Sequence, residues 1–536
     1  LPRRTGGLGA SPPHPQDMKQ PSMVLATPTP PDISAFGVRS ISAYLKAHNC
    51  HVRCVYLPGG IEELSVHKEY VYHYPEQTIQ DFLDLCSGVD LVGFSFLSSY
   101  RDRALQLTEA VHRAAGPPVV WGGVHATLRP GQSLASADYV CVGEGEEPLH
   151  QLLNNLAYGK SAEGIPGIWM RLGEVVQPAA QPPLLENLDA LPYMDFSLDD
   201  QHILEPRSGR IVPMTRALLA KALPLMPFFR NTSITVYRTM TTRGCPHRCT
   251  YCVNHALAGL YDIDRYLRWR SPEHVMEELT RINTEYDFIK GVHFFDDVFT
   301  AMPKQQLERF CELYRTRIGL PFYCQVSPRT VNRRMLDLLL ESGMVFIEMG
   351  IQTGCTATRT LYRRPETNRQ VLTAGELFAD YRGRLLTTRY HVILDNPWET
   401  PMETRETLLL LTSLPTPFVL CLSSLTLYPG TELNILAKEQ GMLRDEIREV
   451  YRKPFYKPLP TYINFLITIS DIRIIPRGLL RLMAAPCIVR RWGARPATII
   501  RLLLRLVEIG RLIGKGVDAV FRGDFMRIRR YMTRIH

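Results

Sequence analysis

A chain of 536 residues exceeds what one hydrophobic core normally serves, and ordinary domain sizes divide it into about two to four units. Its 45% hydrophobic and 21% charged residues are common globular proportions, which excludes disorder as the default state. The net charge of +9 is local: residues 473–536 hold fifteen Lys/Arg against three Asp/Glu, so the main body is nearly neutral and nucleic acid is excluded as its substrate.

Residues 1–22 are rich in Pro, Gly and Ser and are expected to form a disordered tail or an upstream extension, with Met18 and Met23 as candidate starts. In residues 23–155, MVLATP, HVRCVYLP, DLVGFSF, PPVVWGG and ADYVCVGEG read as buried strands, and SISAYLKAH and RALQLTEAVHRAA as helices between them. This α/β alternation predicts a doubly wound, Rossmann-like parallel sheet whose ligands sit at the carboxyl ends of its strands. Residues 156–235 are less regular, with Pro-rich stretches such as QPAAQPPL, and read as a connector. In residues 236–435 six strands are predicted: VYRTMTT, GVHFFDD, PFYCQVS, VFIEMGI, RYHVILD and LCLSSLTLY. Helical segments separate them, which predicts a partial (β/α)6, TIM-like barrel with its active site at the C-terminal strand ends.

Residues 436–536 are expected to be mainly helical and basic. In ATIIRLLLRLVEIGRLIG, Arg501, Arg505 and Glu508 share one face of an otherwise apolar helix. No run of about 20 uninterrupted apolar residues occurs, so no transmembrane helix is predicted. The helix is expected to pack on the barrel with an exposed Arg stripe, or to lie on anionic lipid.

Twelve cysteines form no regular framework and no secretory leader pattern is present, so a reducing cytoplasm is expected, where clustered cysteines point to metal before disulfide. The segment Thr242-Arg-Gly-Cys245-Pro-His-Arg-Cys249-Thr-Tyr-Cys252 follows a predicted strand and puts three thiolates on one loop. Three such ligands can bind three irons of a cubane and leave the fourth iron open to an exogenous chelator. Tyr251 would place an aromatic face beside that chelator. A zinc site would want a fourth ligand, for which His247 and His255 are the candidates.

Cys-x3-Cys-x2-Cys with an aromatic residue before the last cysteine resembles the defining motif of the radical S-adenosylmethionine (SAM) superfamily. The resemblance implies a four-iron, four-sulfur cluster on Cys245, Cys249 and Cys252, and SAM chelating the open iron. It also implies reductive cleavage of SAM to a 5′-deoxyadenosyl radical. Later strand ends resemble the same family in order. Phe294-Phe-Asp296-Asp297-Val-Phe299 corresponds to the stretch that contacts the SAM amino group, and Gln325 and Arg329 end the third strand. Glu348-Met-Gly350-Ile-Gln352-Thr353-Gly354 resembles the ribose- and methionine-contacting segment. Asp395-Asn-Pro-Trp398-Glu-Thr departs from the family's Gly-x-Pro-Gly-Glu-Thr pattern, so Asp395 and Trp398, with His391, are candidates for substrate contact. Tyr428-Pro-Gly-Thr431 closes the sixth unit.

In the N-terminal sheet, Asp32-Ile-Ser34-Ala-Phe-Gly37, Ser95-Phe-Leu97 and Gly122-Gly123 resemble the Asp-x-His-x-x-Gly, Ser-x-Leu and Gly-Gly signals of the cobalamin-binding fold. Gly143-Glu144-Gly145-Glu146 also recurs in cobalamin-binding radical SAM proteins. The resemblance implies that the loop after the first strand faces the corrin, and that Ser95, Gly122 and Gly123 leave a slot for the nucleotide tail. Ser34 stands where the family's cobalt-ligating His would be, so no imidazole is expected from that position. The alternative is a flavodoxin-like sheet kept for packing or subunit contact.

The combined architecture resembles the cobalamin-dependent radical SAM methyltransferases, related to the anaerobic Mg-protoporphyrin ester oxidative cyclase group. It implies SAM used both as methyl source and as radical source, with cobalamin carrying the methyl group to an unactivated carbon or phosphorus centre. The expected partners are a small-molecule or lipid-like substrate and a flavodoxin- or ferredoxin-type reductase. Two other readings are an oxidative cyclase or rearrangement enzyme without net methyl transfer, and a degenerate binding protein. The expected location is cytoplasmic, with peripheral membrane contact through the C-terminal region as an alternative to a helix packed on the barrel.

Overall fold

Met23, Val24, Leu25 and Ala26 are all buried because the first strand, β1 (Ser22–Thr29), runs through the middle of a sheet covered on both faces. Met23 and Leu25 join one core and Val24 and Ala26 the other, as the two-residue period of a strand requires. The computed structural model describes residues 19–29, 33–58, 73–173, 175–206, 208–229, 232–261, 263–495 and 498–521. The expected tail thus falls outside the described residues up to residue 18, and Ser22 already belongs to β1.

Four more parallel strands complete the predicted part of this sheet: β2 (His51–Pro58), β3 (Leu91–Ser95), β4 (Val119–Gly122) and β5 (Tyr139–Cys141). Helices Phe36–Ala47, Glu76–Cys86, Arg101–Arg113 and Glu146–Ala157 alternate with them. The stretch read as a connector supplies further strands: β6 (Ile168–Leu172), β7 (Val175–Gln177), β8 (Gln201–Glu205) and β9 (Arg210–Pro213). They extend both edges, giving the order β7-β6-β5-β4-β3-β1-β2-β8-β9. Each is three to five residues long, too short for a two-residue period to stand out in the sequence.

The second sheet opens with β10 (Leu225–Pro227), antiparallel to β11 (Ser233–Thr239). After the two-stranded ribbon β12 (Thr242–Arg243) and β13 (Arg268–Trp269) come β14 (Gly291–Phe294), β15 (Phe322–Val326), β16 (Met344–Gln352), β17 (Thr388–Leu394) and β18 (Phe418–Ser424). The six strands β11 and β14–β18 are parallel and lie in sequence order, and the sheet does not close, so it is an open partial barrel. On β16, Ile347 and Met349 join the outer core beneath the helices, which turns Glu348 to the lumen. That outer core also takes in Met23, Leu25 and Val52 of the first sheet, so the two units share one apolar interior.

The C-terminal region is helical, with Tyr462–Ile469, Arg477–Met483, Pro486–Trp492 and Thr498–Phe521. Among the described residues no helix is long and apolar enough to cross a membrane.

Candidate active site

A cavity of about 580 Å³ opens between the carboxyl ends of the first sheet and the first loop of the barrel. Gly37, Ser95, Leu97, Gly122 and Gly123 line it from one side, Thr242–Gly244 and Phe295–Asp297 from the other. Asp32 lies outside the described residues, and Ser34 is buried at the entry to helix Phe36–Ala47. Ser95 ends β3 and pairs in register with Gly122, which ends β4. Gly123 sits at φ +82°, and a Cβ there would stand 2.8 Å from Phe96 N and 3.0 Å from Ser95 Oγ. Only glycine fits, and its missing side chain leaves the wall of the slot bare. Leu97 is about half exposed and offers an apolar surface to the cavity. This glycine-walled, largely apolar cleft fits a flat ligand with a long tail such as cobalamin.

The three candidate cluster ligands follow β12. Gly244, at φ +94°, makes the turn into their loop, where a Cβ would lie 2.7 Å from Tyr266 O. Cys252 N donates to Cys249 O at 3.0 Å, and Cys252 caps helix Val253–Ala258. Burial, then Asp297, raises the Cys245 thiol far above its usual range, and burial is the main reason Cys252 rises to about 12. Thiols in such a place lose their protons readily only to a cation, which suits a metal-cluster donor set. Among the described residues no three His, Cys, Asp or Glu side chains already stand at metal-binding distances, so the thiols share a loop without closing a coordination set. Each candidate for a fourth zinc ligand already faces a carboxylate, while His247 Nε2 and His255 Nδ1 are buried without a hydrogen-bond partner. His255 Nε2 lies 3.0 Å from Glu432 Oε1, and His247 Nε2 lies 3.6 Å from Glu366 Oε1. The ring of Tyr251 packs edge-on against Tyr362, with centroids 4.8 Å apart.

Asp296 ties the end of β14 to this loop. Its Oδ1 accepts from Thr241 N at 2.8 Å, Thr242 N at 2.7 Å and Thr242 Oγ1 at 2.6 Å. Its Oδ2 is buried without a hydrogen-bond partner, and the residue lines the cavity, so that oxygen is an acceptor suited to an ammonium group. Asp297 accepts from Asn254 Nδ2 at 2.6 Å, and burial with the neighbouring Asp296 carries it up to about 6.

Deeper in the barrel, Gln325 pairs in register with Glu348. Glu348 binds Arg389 Nη1 through Oε1 at 2.5 Å and His391 Nε2 through Oε2 at 2.8 Å. Burial opposes the charge on Glu348, but His391 and Arg389 outweigh it and hold the carboxyl at about 2. Burial likewise opposes protonation of His391, yet Cys421 and Glu348 take it up to about 9. Gln352 adopts φ +65°, an uncommon conformation for its type. Thr353 is buried against Thr407, Oγ1 to Oγ1 3.2 Å, and Gly354 lets the backbone of Thr407 approach where a Cβ would be 2.7 Å from its Cα.

Asp395 and Trp398 are engaged elsewhere. Asp395 accepts from Asn464 Nδ2 at 2.7 Å and Leu459 N at 2.9 Å, and Trp398 Nε1 donates to Gln440 Oε1 at 2.7 Å. Both therefore hold the C-terminal region to the fifth strand end. Cys324 and Cys355 are buried core residues.

Sequence reasoning missed the link between the two halves. Arg243 reaches Glu144 and Glu146, while Arg268 Nη2 donates to Glu144 Oε1 at 2.6 Å. The signal was present in the Gly-Glu-Gly-Glu run and in the Arg two residues before Cys245.

Comparison with known proteins agrees with this geometry. The B12 binding domain family matches residues 23–153 and the Radical SAM superfamily matches residues 239–408. An uncharacterized methyltransferase of Pyrococcus horikoshii is 26% identical over 240 residues, 44% of this chain and 45% of that protein. The chain thus spans a little under half the length of that relative. A bacteriochlorophyllide d C-8(2)-methyltransferase of Chlorobaculum tepidum is 22% identical over 77% of this chain and 84% of its own. The solved structure of the radical SAM methyltransferase TsrM from Kitasatospora setae, with cobalamin and a [4Fe-4S] cluster bound, superposes with a TM-score of 0.61. It covers 79% of this chain and 78% of its own at 16% identity, which speaks to the fold. With a B12 binding domain and a Radical SAM domain in this order around one cavity, the chain has the two-domain make-up of the cobalamin-binding radical SAM proteins, which implies a [4Fe-4S] cluster, SAM and cobalamin as its cofactors.

Proposed function

We propose that this protein is a methyltransferase that moves a methyl group onto an unactivated carbon or phosphorus centre of a small molecule. The observation that carries the reading is the shared cavity: the glycine slot of the first sheet faces Thr242–Gly244, Val253 and Asn254, which flank the loop of Cys245, Cys249 and Cys252, and Asp296 lines the same cavity. When bound, the cluster and SAM supply a 5′-deoxyadenosyl radical and the cobalamin supplies the methyl group. The chain's own residues bind and position. Cys245, Cys249 and Cys252 hold the cluster, and Asp296 Oδ2 receives the SAM ammonium. Asp297, Tyr251, Gln325, Gln352 and Thr353 shape the rest of the SAM site. Ser95, Leu97, Gly122 and Gly123 seat the nucleotide tail. The substrate enters the lumen, where Glu348, Arg389 and His391 offer it charged and hydrogen-bonding groups. The largely apolar lining of the cavity limits the water beside the radical. A flavodoxin- or ferredoxin-type reductase supplies electrons in a reducing cytoplasm.

The test is anaerobic reconstitution with iron, sulfide and hydroxocobalamin, for the parent and for a variant with all three cysteines replaced by Ala. The parent should bind about four irons and about one cobalt per chain, and the variant should lose iron alone. S-adenosylhomocysteine formed in step with product supports methyl transfer. 5′-Deoxyadenosine with product but no S-adenosylhomocysteine would favour cyclisation or rearrangement, and iron without cobalt would overturn the reading.

A further inference from the structure

We propose that the C-terminal region docks this protein on an anionic lipid surface, with helix Thr498–Phe521 lying in the interface. The inference stands apart from the chemistry in the cavity. The helix is seated on the protein by one flank only. Ile500 is buried, Val507 packs on the main core, and Arg511 Nη2 donates to Thr468 O and Asp471 Oδ1 at 2.6 Å. With about 3.6 residues per turn, Ile499, Leu502, Leu506, Ile509 and Ile513 fall on the adjoining flank, and each is more than half exposed. The apolar arc is therefore about twice as wide as the surface the protein covers. Such a stripe of large aliphatic side chains is rarely left to water.

Charge selects the occupant. Arg501 and Arg505 are exposed along the edge of the stripe, and Glu508 is the one acidic residue between Thr498 and Gly514. Ahead of the helix, exposed Trp492 has the guanidinium groups of Arg491 and Arg495 at 5.6 and 5.9 Å from its ring. Leu482 and Ile474 of the same region are also exposed. A second copy would set these cations against their own kind, whereas an anionic bilayer neutralises them and takes up the aliphatic stripe. Trp and Arg side by side suit the depth of lipid headgroups.

The test uses the full chain with its cofactors and vesicles of phosphatidylcholine, with and without phosphatidylglycerol, in a sedimentation assay. Binding is expected to the anionic vesicles and to weaken as salt rises. Arg501→Gln with Arg505→Gln should weaken it about tenfold or more. Leu502→Ser with Leu506→Ser should abolish it while circular dichroism and iron content stay at parent values, since neither side chain is part of the core. Failure of the parent to bind anionic vesicles at low salt would overturn the proposal. So would a concentration-dependent dimer that the Leu502→Ser, Leu506→Ser variant loses, with no vesicle binding by the parent. Equal binding to both vesicle types would overturn the role given to charge. None of these outcomes touches the iron and cobalt measurement, so the two proposals fail separately.

Discussion

Arg243 Nη1 lies 3.2 Å from Glu144 Oε1, two residues before Cys245 and across the boundary between the two sheets. Its other nitrogen donates to Glu146 and, at 3.0 Å, to Ser40 Oγ. Burial works against the guanidinium charge, but Glu146 and Glu144 more than offset it, so Arg243 stays charged. Glu144 is partly buried, and the Arg268 and Arg243 partners hold it below the usual carboxylate range. One bonded network thus fixes the cysteine loop relative to the glycine slot. Replacing Arg243 by Ala would leave two largely buried carboxylates short of a partner, at a cost of about 3 kcal/mol. Arg243→Lys keeps the charge without the fork and should lose less. Anaerobic denaturant unfolding of the cofactor-free protein measures both; a loss below about 1 kcal/mol for the Ala variant would mean the clamp is slack.

Gly123→Ala tests the slot. The new methyl would need φ +82° and would stand 2.8 Å from Phe96 N, so the turn after β4 must move. The local strain is about 1–3 kcal/mol. Cobalamin binding, followed by its visible absorbance, should fall sharply while iron content is unchanged. Loss of both metals would show that the turn supports the whole fold and not the slot alone.

Expected and observed barrel strands agree because buried parallel strands announce themselves as apolar runs between turn residues. The run Gly291–Phe294 is all buried and lies inside GVHFFDD. Short edge strands carry no such signal: β7 is Val175–Gln177, with its first residue exposed. Motif spacing told which residues sit at strand ends, hence that Ser95, Gly122 and Asp296 would share a region. It could not tell what each side chain would bind. Glu348 and His391 are 43 residues apart and meet through the register of β16 on β17. Asp395 and Asn464 are 69 apart and meet only because the C-terminal helices fold back on the barrel. Hydrogen bonds across such distances follow from tertiary packing, which no local pattern encodes.

Asp395→Ala should loosen that fold-back without harming the barrel. Asp395 accepts from Asn464 Nδ2 and Leu459 N, and its loss leaves both donors short at a cost of about 1–3 kcal/mol. Limited proteolysis should then cut first between the barrel and the C-terminal helices, at unchanged iron and cobalt content. Loss of substrate turnover with unchanged proteolysis would instead place Asp395 in the substrate site.

The Glu348–His391 pair predicts a pH dependence of stability in the cofactor-free protein. His391 is raised from an ordinary value near 6.5 to about 9, so its contribution is complete below about 6.5 and fades as pH climbs through 9. Glu348 is lowered from near 4.5 to about 2, so its contribution is complete above about 4.5 and fades as pH falls through 2. Both contributions are therefore complete from about pH 4.5 to 6.5, and the alkaline limb belongs to the imidazole. The two shifts share the Glu348–His391 contact and do not add, and Cys421 carries part of the imidazole's rise; about 2 kcal/mol in total is the scale, since the His391 ring is 30% exposed. His391→Gln keeps a hydrogen bond to Glu348 but removes the titration, so Tm should drop at pH 6 and the decline between pH 6.5 and 9 should flatten. A parent whose Tm is level across that interval would show that His391 is neutral beside Glu348, leaving Arg389, 2.5 Å from Oε1, to hold the carboxylate charged alone.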